Sequence, residues 1–171
     1  MNARAQEKLA MRPLLPADVP LLAEIFRASI EQLAADDYSE AQLGAWASVA
    51  DYEEEFGARL AGGLTLVATL SGAAIGFASL ADNAKIDMLY VHPAATGQGV
   101  AAMLCDALEK LAAARGSKEL TVDASDSARG FFERRGYAAK TRNTVTLNGE
   151  WLANTTMVKP LAAGAAKGSR A

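Results

Sequence analysis

Few side chains in this chain could do chemistry, and they gather around one stretch. Asp87 is an acid inside an otherwise apolar run, Ile86-Asp87-Met88-Leu89-Tyr90-Val91, where an unpaired carboxylate would be costly. Such an acid serves as a base or anionic anchor, is neutralised by Lys85 or another cation, or caps a turn. His92 is the single histidine and titrates conveniently for proton transfer, but it sits in a Val-His-Pro turn where many residue types serve. Cys105, the single cysteine, is most simply a small packing residue on a helix; a covalent acyl-cysteine is the alternative. Next to the acid lies a small-residue loop, Ala94-Ala95-Thr96-Gly97-Gln98-Gly99, whose glycines would let an anion approach the backbone without a side chain intervening.

The elements that must position these residues follow from the pattern around them. Ile86–Val91 reads as a buried strand, stopped by Pro93, which has no N–H for a ladder. From Val100 the period turns helical: Val100, Leu104, Leu108 and Leu111 form one stripe with Met103, Ala107 and Ala114 beside it, and Gly116 ends the helix. A strand, a glycine loop and a helix start aim the free N–H groups of the first turn at the loop, a natural anion site. The loop is neither a Walker motif nor the GxGxxG dinucleotide fingerprint, since Ala102 stands at the last glycine's place.

Along the chain, Ala10–Leu15 reads as a first strand, and Asp18 as the cap of a helix with the stripe Val19, Leu22, Ile25, Phe26 and Ile30. Shorter helices are expected from Glu40 to Ala47, capped by Ser39, and from Asp51 to Leu60. Leu64–Leu70 and Ala73–Leu80 form a hairpin about Ser71-Gly72, and Asp82-Asn83 turns into the Ile86 strand. Glu119–Asp123 is a strand parallel to Ile86–Val91, because a helix connects them. Ser125–Arg135 reads as a helix started by Ser125 or Asp126. Tyr137–Leu147 and Trp151–Val158 make a last hairpin about Asn148-Gly149. The expectation is an α/β (α+β) fold: a mixed, mostly antiparallel twisted sheet of about seven strands with helices on both faces. One domain over 10–160 lies between an N-terminal extension, 1–9, and a flexible tail, 161–171.

Bulk properties narrow the function. The chain has 171 residues, 51% of them apolar and 22% charged, with a net charge of −3, ordinary for one globular domain. That charge gives no electrostatic reason to expect nucleic acid or an anionic membrane. A lone cysteine forms no internal disulfide and suits a reducing cytoplasm. No apolar run approaches the ~20 residues of a membrane helix, and the N-terminus lacks the apolar core of a signal peptide.

Val91-His92-Pro93 followed by Thr96-Gly97-Gln98-Gly99-Val100-Ala101 resembles the acetyl-CoA core of the GNAT acyltransferases, V-x-P and then [QR]-x-x-G-x-[GA]. Thr96 departs from the usual Gln or Arg, at a position that braces the loop rather than holding phosphate. A second segment, Ser125 to Tyr137, resembles the family's N-x-x-A-x-x-F-Y-x-x-x-G-F. The words YSEAQLGAW, IDMLYV, LTVDAS, FFERRGY and GEW together are similar to the bacterial YafP-like branch of small GNAT N-acetyltransferases.

The resemblance implies an acetyl-CoA-dependent N-acetyltransferase, with acetyl-CoA as co-substrate and no metal, moving the acetyl group to a primary amine of a small molecule by direct attack in a ternary complex. Protein or peptide acetylation is an alternative on the same fold, and a non-catalytic CoA-binding or dimerisation module is another. By resemblance a backbone N–H at or next to Leu89 polarises the thioester carbonyl. Tyr90, Val91, Thr96, Gly97, Gln98, Gly99, Val100, Ala101 and Ala102 line or cradle the cofactor. Ser125 takes the place of an asparagine that bonds the pantetheine, unless it is only a helix cap. Asp87, expected on one strand face with Leu89 and Val91, is the first candidate for the base. Phe132 stands where the family often has a tyrosine acid, so the thiolate would take its proton from water or from Tyr90, Tyr137 or Tyr38. Ser29, Tyr38, Gln42, Trp46, Trp151 and Asn154 are the expected acceptor contacts, although the three rings could equally form a satellite core. A small-molecule amine in the cytoplasm is the expected partner, with no nucleic acid or membrane and room for a homodimer.

Overall fold

The computed structural model describes residues 7–162. The apolar runs become one sheet of seven strands: β1 (Leu9–Pro13), β2 (Leu64–Leu70), β3 (Ala73–Ala81), β4 (Lys85–Val91), β5 (Glu119–Ser125), β6 (Ala138–Leu147) and β7 (Glu150–Pro160). Their spatial order is β1-β2-β3-β4-β5-β7-β6, and every neighbouring pair is antiparallel except β4 and β5. Helices α1 (Val19–Leu33), α2 (Glu40–Ala47) and α3 (Glu53–Ala61) cover one face. Helices α4 (Val100–Ala114) and α5 (Arg129–Arg134) cover the other. Each face buries its own core. Leu22, Ile25, Phe26 and Ile30 of α1 close on Val67, Phe77 and Met88, while Leu104, Leu108 and Ala112 of α4 close on Ala78, Ile86, Leu120 and Met157.

Several expected boundaries move. The first strand is Leu9–Pro13 rather than Ala10–Leu15. A 3-10 turn over Ser48–Asp51 precedes α3 and delays its start to Glu53. The helix expected at Ser125–Arg135 begins only at Arg129, because β5 continues through Ser125 and the Ser125 hydroxyl accepts from the Ala128 N–H to close a turn. On α4 the buried face is Val100, Leu104, Cys105, Leu108, Glu109 and Ala112, so the stripe lies to one side of Leu111. Leu161 is tied by its N–H to the Lys118 carbonyl; the rest of the expected tail, 163–171, and residues 1–6 lie outside the described residues. Among the described residues no helix is long and apolar enough to cross a membrane.

Two features of β4 matter most. Ser79 pairs with Met88 but Leu80 pairs with Ile86, so Asp87 is one extra residue, a β-bulge. The ladder to β5 holds only at Lys85↔Thr121 and Ile86↔Val122. Beyond it the parallel strands part.

Candidate active site

The parting of β4 and β5 opens a cavity of about 510 Å³. Its walls come from both faces of the sheet: Phe26, Ser29, Tyr38 and Trp46 from the α1–α2 side, Ala101, Phe131 and Phe132 from the α4–α5 side, and Asp87 to Val91 and Val122 to Ser125 from the two strands. Hydrogen-bond alternation decides which donors face it. His92 N–H donates to the Ile75 carbonyl of β3, and the Tyr90 carbonyl lies against Gly76 of β3, so close that a Cβ there would sit 3.0 Å away. Every second residue therefore faces β3, and the N–H groups of Leu89 and Val91 face the other edge, where the ladder to β5 has ended. Unpaired backbone donors beside a cavity are placed to bind a carbonyl oxygen.

The glycine loop sits at the mouth. Gly97 (φ +80°) and Gly99 (φ +77°) both adopt the left-handed region, and a Cβ built on either would project into open space. Gly99 caps α4 without a side chain. The first turn closes from Met103 N–H to the Gly99 carbonyl, leaving the N–H groups of Val100, Ala101 and Ala102 without an intrahelical acceptor. Thr96 donates its hydroxyl to the Pro93 carbonyl at 2.9 Å, bracing the loop. Its Nδ1 accepting from Ala94 N–H, His92 is a turn cap. The loop backbone fits an anionic pyrophosphate on both counts, open space and unclaimed donors.

The bulge overturns one expectation. Leu89 and Val91 point into the α4 core, Met88 and Tyr90 into the α1–α3 core, and the extra residue turns Asp87 to the latter side. There Arg59 of α3 donates through Nε to Oδ2 at 2.7 Å and through its terminal nitrogen to Oδ1 at 2.9 Å. Asp87 thus shares no face with Leu89 and Val91, and its partner is Arg59 rather than Lys85. Lys85 instead holds Asp123 of β5 at 2.7 Å, whose other oxygen accepts from the Thr156 hydroxyl at 2.6 Å. Burial opposes ionisation of Asp123, but Lys85 and Thr156 hold its carboxyl below the usual range.

Other expected residues divide between the cavity and its surroundings. Ser29, Tyr38, Trp46, Tyr90, Ser125, Phe132 and Asn154 line it. Tyr90 stands on the α1–α3 side of the sheet, its ring 4.6 Å from Phe26 and 6.4 Å from Trp46 by centroids, and burial pushes its pKa up to about 12. The Tyr38 hydroxyl donates to the Ala153 carbonyl and accepts from Asp126 N–H. It ties the α1–α2 link to β7 and to the turn after β5. Other expected side chains fall elsewhere. That of Val100 is buried in the α4 core, with its N–H left at the loop. Trp151 is 67% exposed and does not line the cavity; its carbonyl accepts from the side chain of Gln42, which also lies outside the cavity. Tyr137 lies beneath α4, donating to Glu109 at 3.0 Å, and is no part of the cavity. Arg59 and Asp123 carried no role in the sequence, and Lys85 only that of a partner for Asp87. Their charges carry no local pattern, and only strand register reveals which ones meet.

The fold agrees with known proteins. Residues 34–161 match the model of the acetyltransferase (GNAT) domain. The Escherichia coli (strain K12) N-acetyltransferase YafP is 35% identical over 146 residues, covering 85% of this chain and 92% of that protein. A GCN5-related N-acetyltransferase from Rhodopseudomonas palustris is 64% identical over 89% of this chain and 95% of that one, with a TM-score of 0.88. The PaiA N-acetyltransferase of Thermoplasma acidophilum, solved in complex with coenzyme A, shares the fold at 21% identity and a TM-score of 0.72, over 90% of this chain and 99% of that one.

Proposed function

The chain belongs to the GNAT family of N-acetyltransferases, and on that premise we propose that it uses acetyl-CoA to acetylate a primary amine of a small molecule by direct attack in a ternary complex. The observation that carries the reading is the cavity at the β4–β5 parting: it joins the donor-rich loop side of the sheet to an aromatic pocket on the opposite side. The cofactor's pyrophosphate meets the backbone N–H groups from Gly97 to Ala102, with Val91, Ser125 and Phe132 along the pantetheine arm. The N–H of Leu89 polarises the thioester carbonyl, as an oxyanion donor does. That donor's orientation follows from the alternation on β4.

The amine enters from the α1–α2 side, between Ser29, Tyr38, Trp46 and Asn154, and reaches the carbonyl carbon through the gap. Nitrogen forms the new bond to carbon as the carbon–sulfur bond breaks, and coenzyme A leaves as the thiol. Asp87 takes the proton of the attacking ammonium. Tyr90, whose pKa burial raises further above neutral, carries a proton that can pass to the departing sulfur. Two carboxylates and an aromatic wall suit a compact amine. The test is thiol release from acetyl-CoA across a panel of small amines beside lysine peptides. Release with small amines is expected, and release with peptides alone would replace this acceptor class by protein acetylation.

A further inference from the structure

The last ladder pair between the parallel strands is Ile86↔Val122, and the next residue on each strand is an acid: Asp87 on β4, Asp123 on β5. Both line the cavity, and both side chains stand on the face that carries α1 to α3. Asp87 reaches Arg59 there, while Asp123 alternates with Val122 and Ala124, which point into the α4 core. Paired strands run about 4.8 Å apart, so the two carboxylates flank the point where the gap begins.

They are held very differently. Both oxygens of Asp87 are taken by the planar fork of one guanidinium, a geometry no ammonium reproduces. Asp123 is held on one oxygen by the Thr156 hydroxyl and on the other by Lys85 Nζ, at the end of a flexible stem whose side chain is 41% exposed. We propose that Asp123 receives the primary ammonium of the acceptor and that Lys85 is its resting occupant. The proposal rests on the N-acetyltransferase reading above.

An incoming alkylammonium replaces Lys85 like for like: the same charge, the same donors, with Lys85 Nζ released toward water. The same exchange at Asp87 would break a two-bond pair and strand Arg59 without its anion. Lys85 is also a primary alkylammonium already seated against a cavity carboxylate, so the chain itself displays the contact the acceptor would make. Asp123 therefore positions the acceptor, and Asp87, still paired with Arg59, stands opposite it as the base.

Phenethylamine is the probe, with the full chain, measured by calorimetric binding in the presence of CoA and by steady-state acetylation. Asp123→Asn is expected to weaken phenethylamine binding and raise its KM at least tenfold, with the KM for acetyl-CoA unchanged and kcat within a few-fold. Lys85→Met removes the competitor and is expected to tighten phenethylamine binding several-fold. Unchanged amine binding in Asp123→Asn overturns the proposal. So does a Lys85→Met variant that loses amine binding as severely, the mark of a pair that only fastens β4 to β5. Should Asp123→Asn fail to fold, the direction of the change in Lys85→Met decides alone. Because binding is read without turnover, a chain that binds the amine through Asp123 yet releases no thiol would sink the acyltransfer reading and leave this one standing.

Discussion

Arg59 and Asp87 lie 28 residues apart and meet through two hydrogen bonds of 2.7 and 2.9 Å, which fasten helix α3 to the bulge of β4. The pair fixes a carboxylate at the wall of the cavity. It exists because one extra residue in the strand turns Asp87 away from Leu89.

Asp87→Asn keeps the shape and removes the charge. Turnover is expected to fall about 10²-fold or more if the carboxylate takes the proton, while CoA affinity stays near that of the wild type. The check is kcat against pH beside calorimetric CoA binding. A pH–rate profile identical to the wild type's would leave Asp87 as no more than the partner of Arg59.

Gly99→Val tests the loop. At φ +77° a side chain costs about 1–2 kcal/mol of stability and projects into the space assigned to the pyrophosphate, so CoA binding should weaken at least tenfold. Gly116→Val is the control: it carries the same backbone strain at φ +92°, also with open space around it, but lies at the far end of α4. Equal loss of stability with loss of CoA binding only in Gly99→Val supports the assignment. A Gly99→Val chain that binds CoA as tightly as the wild type removes it.

Local pattern carried much of this. β2 falls at Leu64–Leu70, as its apolar and β-branched residues predict, α4 starts at Val100, and Asn148-Gly149 makes the last hairpin with both residues at positive φ. What escaped was long-range. A bulge shifts the register by one and reverses which face a side chain takes, and nothing within Ile86–Val91 announces that Asp87 is the inserted residue. Tyr137 was legible as part of a family segment, yet its hydroxyl is claimed by Glu109, distant in sequence. Asp123 read simply as the end of a strand, because its meaning comes from Lys85 across the sheet and Thr156 on the neighbouring strand.

Glu109 gives a stability prediction. Burial alone would raise its pKa, but hydrogen bonds from Lys159, Cys105 and Tyr137 and the charge of Arg135 leave it below the ordinary value. A carboxyl depressed in the folded state contributes stability that is present above the unfolded value of about 4.3 and is lost as pH falls through the folded one. Wild-type stability should therefore drop below about pH 4.3 more steeply than that of Glu109→Gln. At pH 7 the variant should be less stable by about 1–3 kcal/mol, since its amide leaves Lys159 and Arg135 without their anion. Urea titrations at both pH values measure the two slopes, and parallel losses in the two proteins would show that Glu109 is not the group responsible.

The last prediction concerns the proton for the departing thiolate. Phe132 is only 3% exposed, packed 5.1 Å from both Phe131 and Tyr137 by ring centroids, and it lines the cavity on the side proposed for the pantetheine arm. Tyr137 is withdrawn as a donor because its hydroxyl is bound to Glu109 under α4. Tyr38 has its hydroxyl committed to Ala153 and Asp126, so Tyr38→Phe should lower stability by about 1–3 kcal/mol through two backbone groups left unsatisfied. That leaves Tyr90. If it is the acid and thiolate departure limits the rate, Tyr90→Phe should cost about 10²–10⁴-fold in kcat with CoA affinity intact. In that background Phe132→Tyr should recover part of the loss, by restoring a hydroxyl from the other wall. If no residue supplies the proton, Tyr90→Phe is silent, and Phe132→Tyr by itself is faster than the wild type with a good acceptor. Turnover of the single and double variants at saturating acetyl-CoA separates the cases, and rates unchanged in all of them would assign the proton to water.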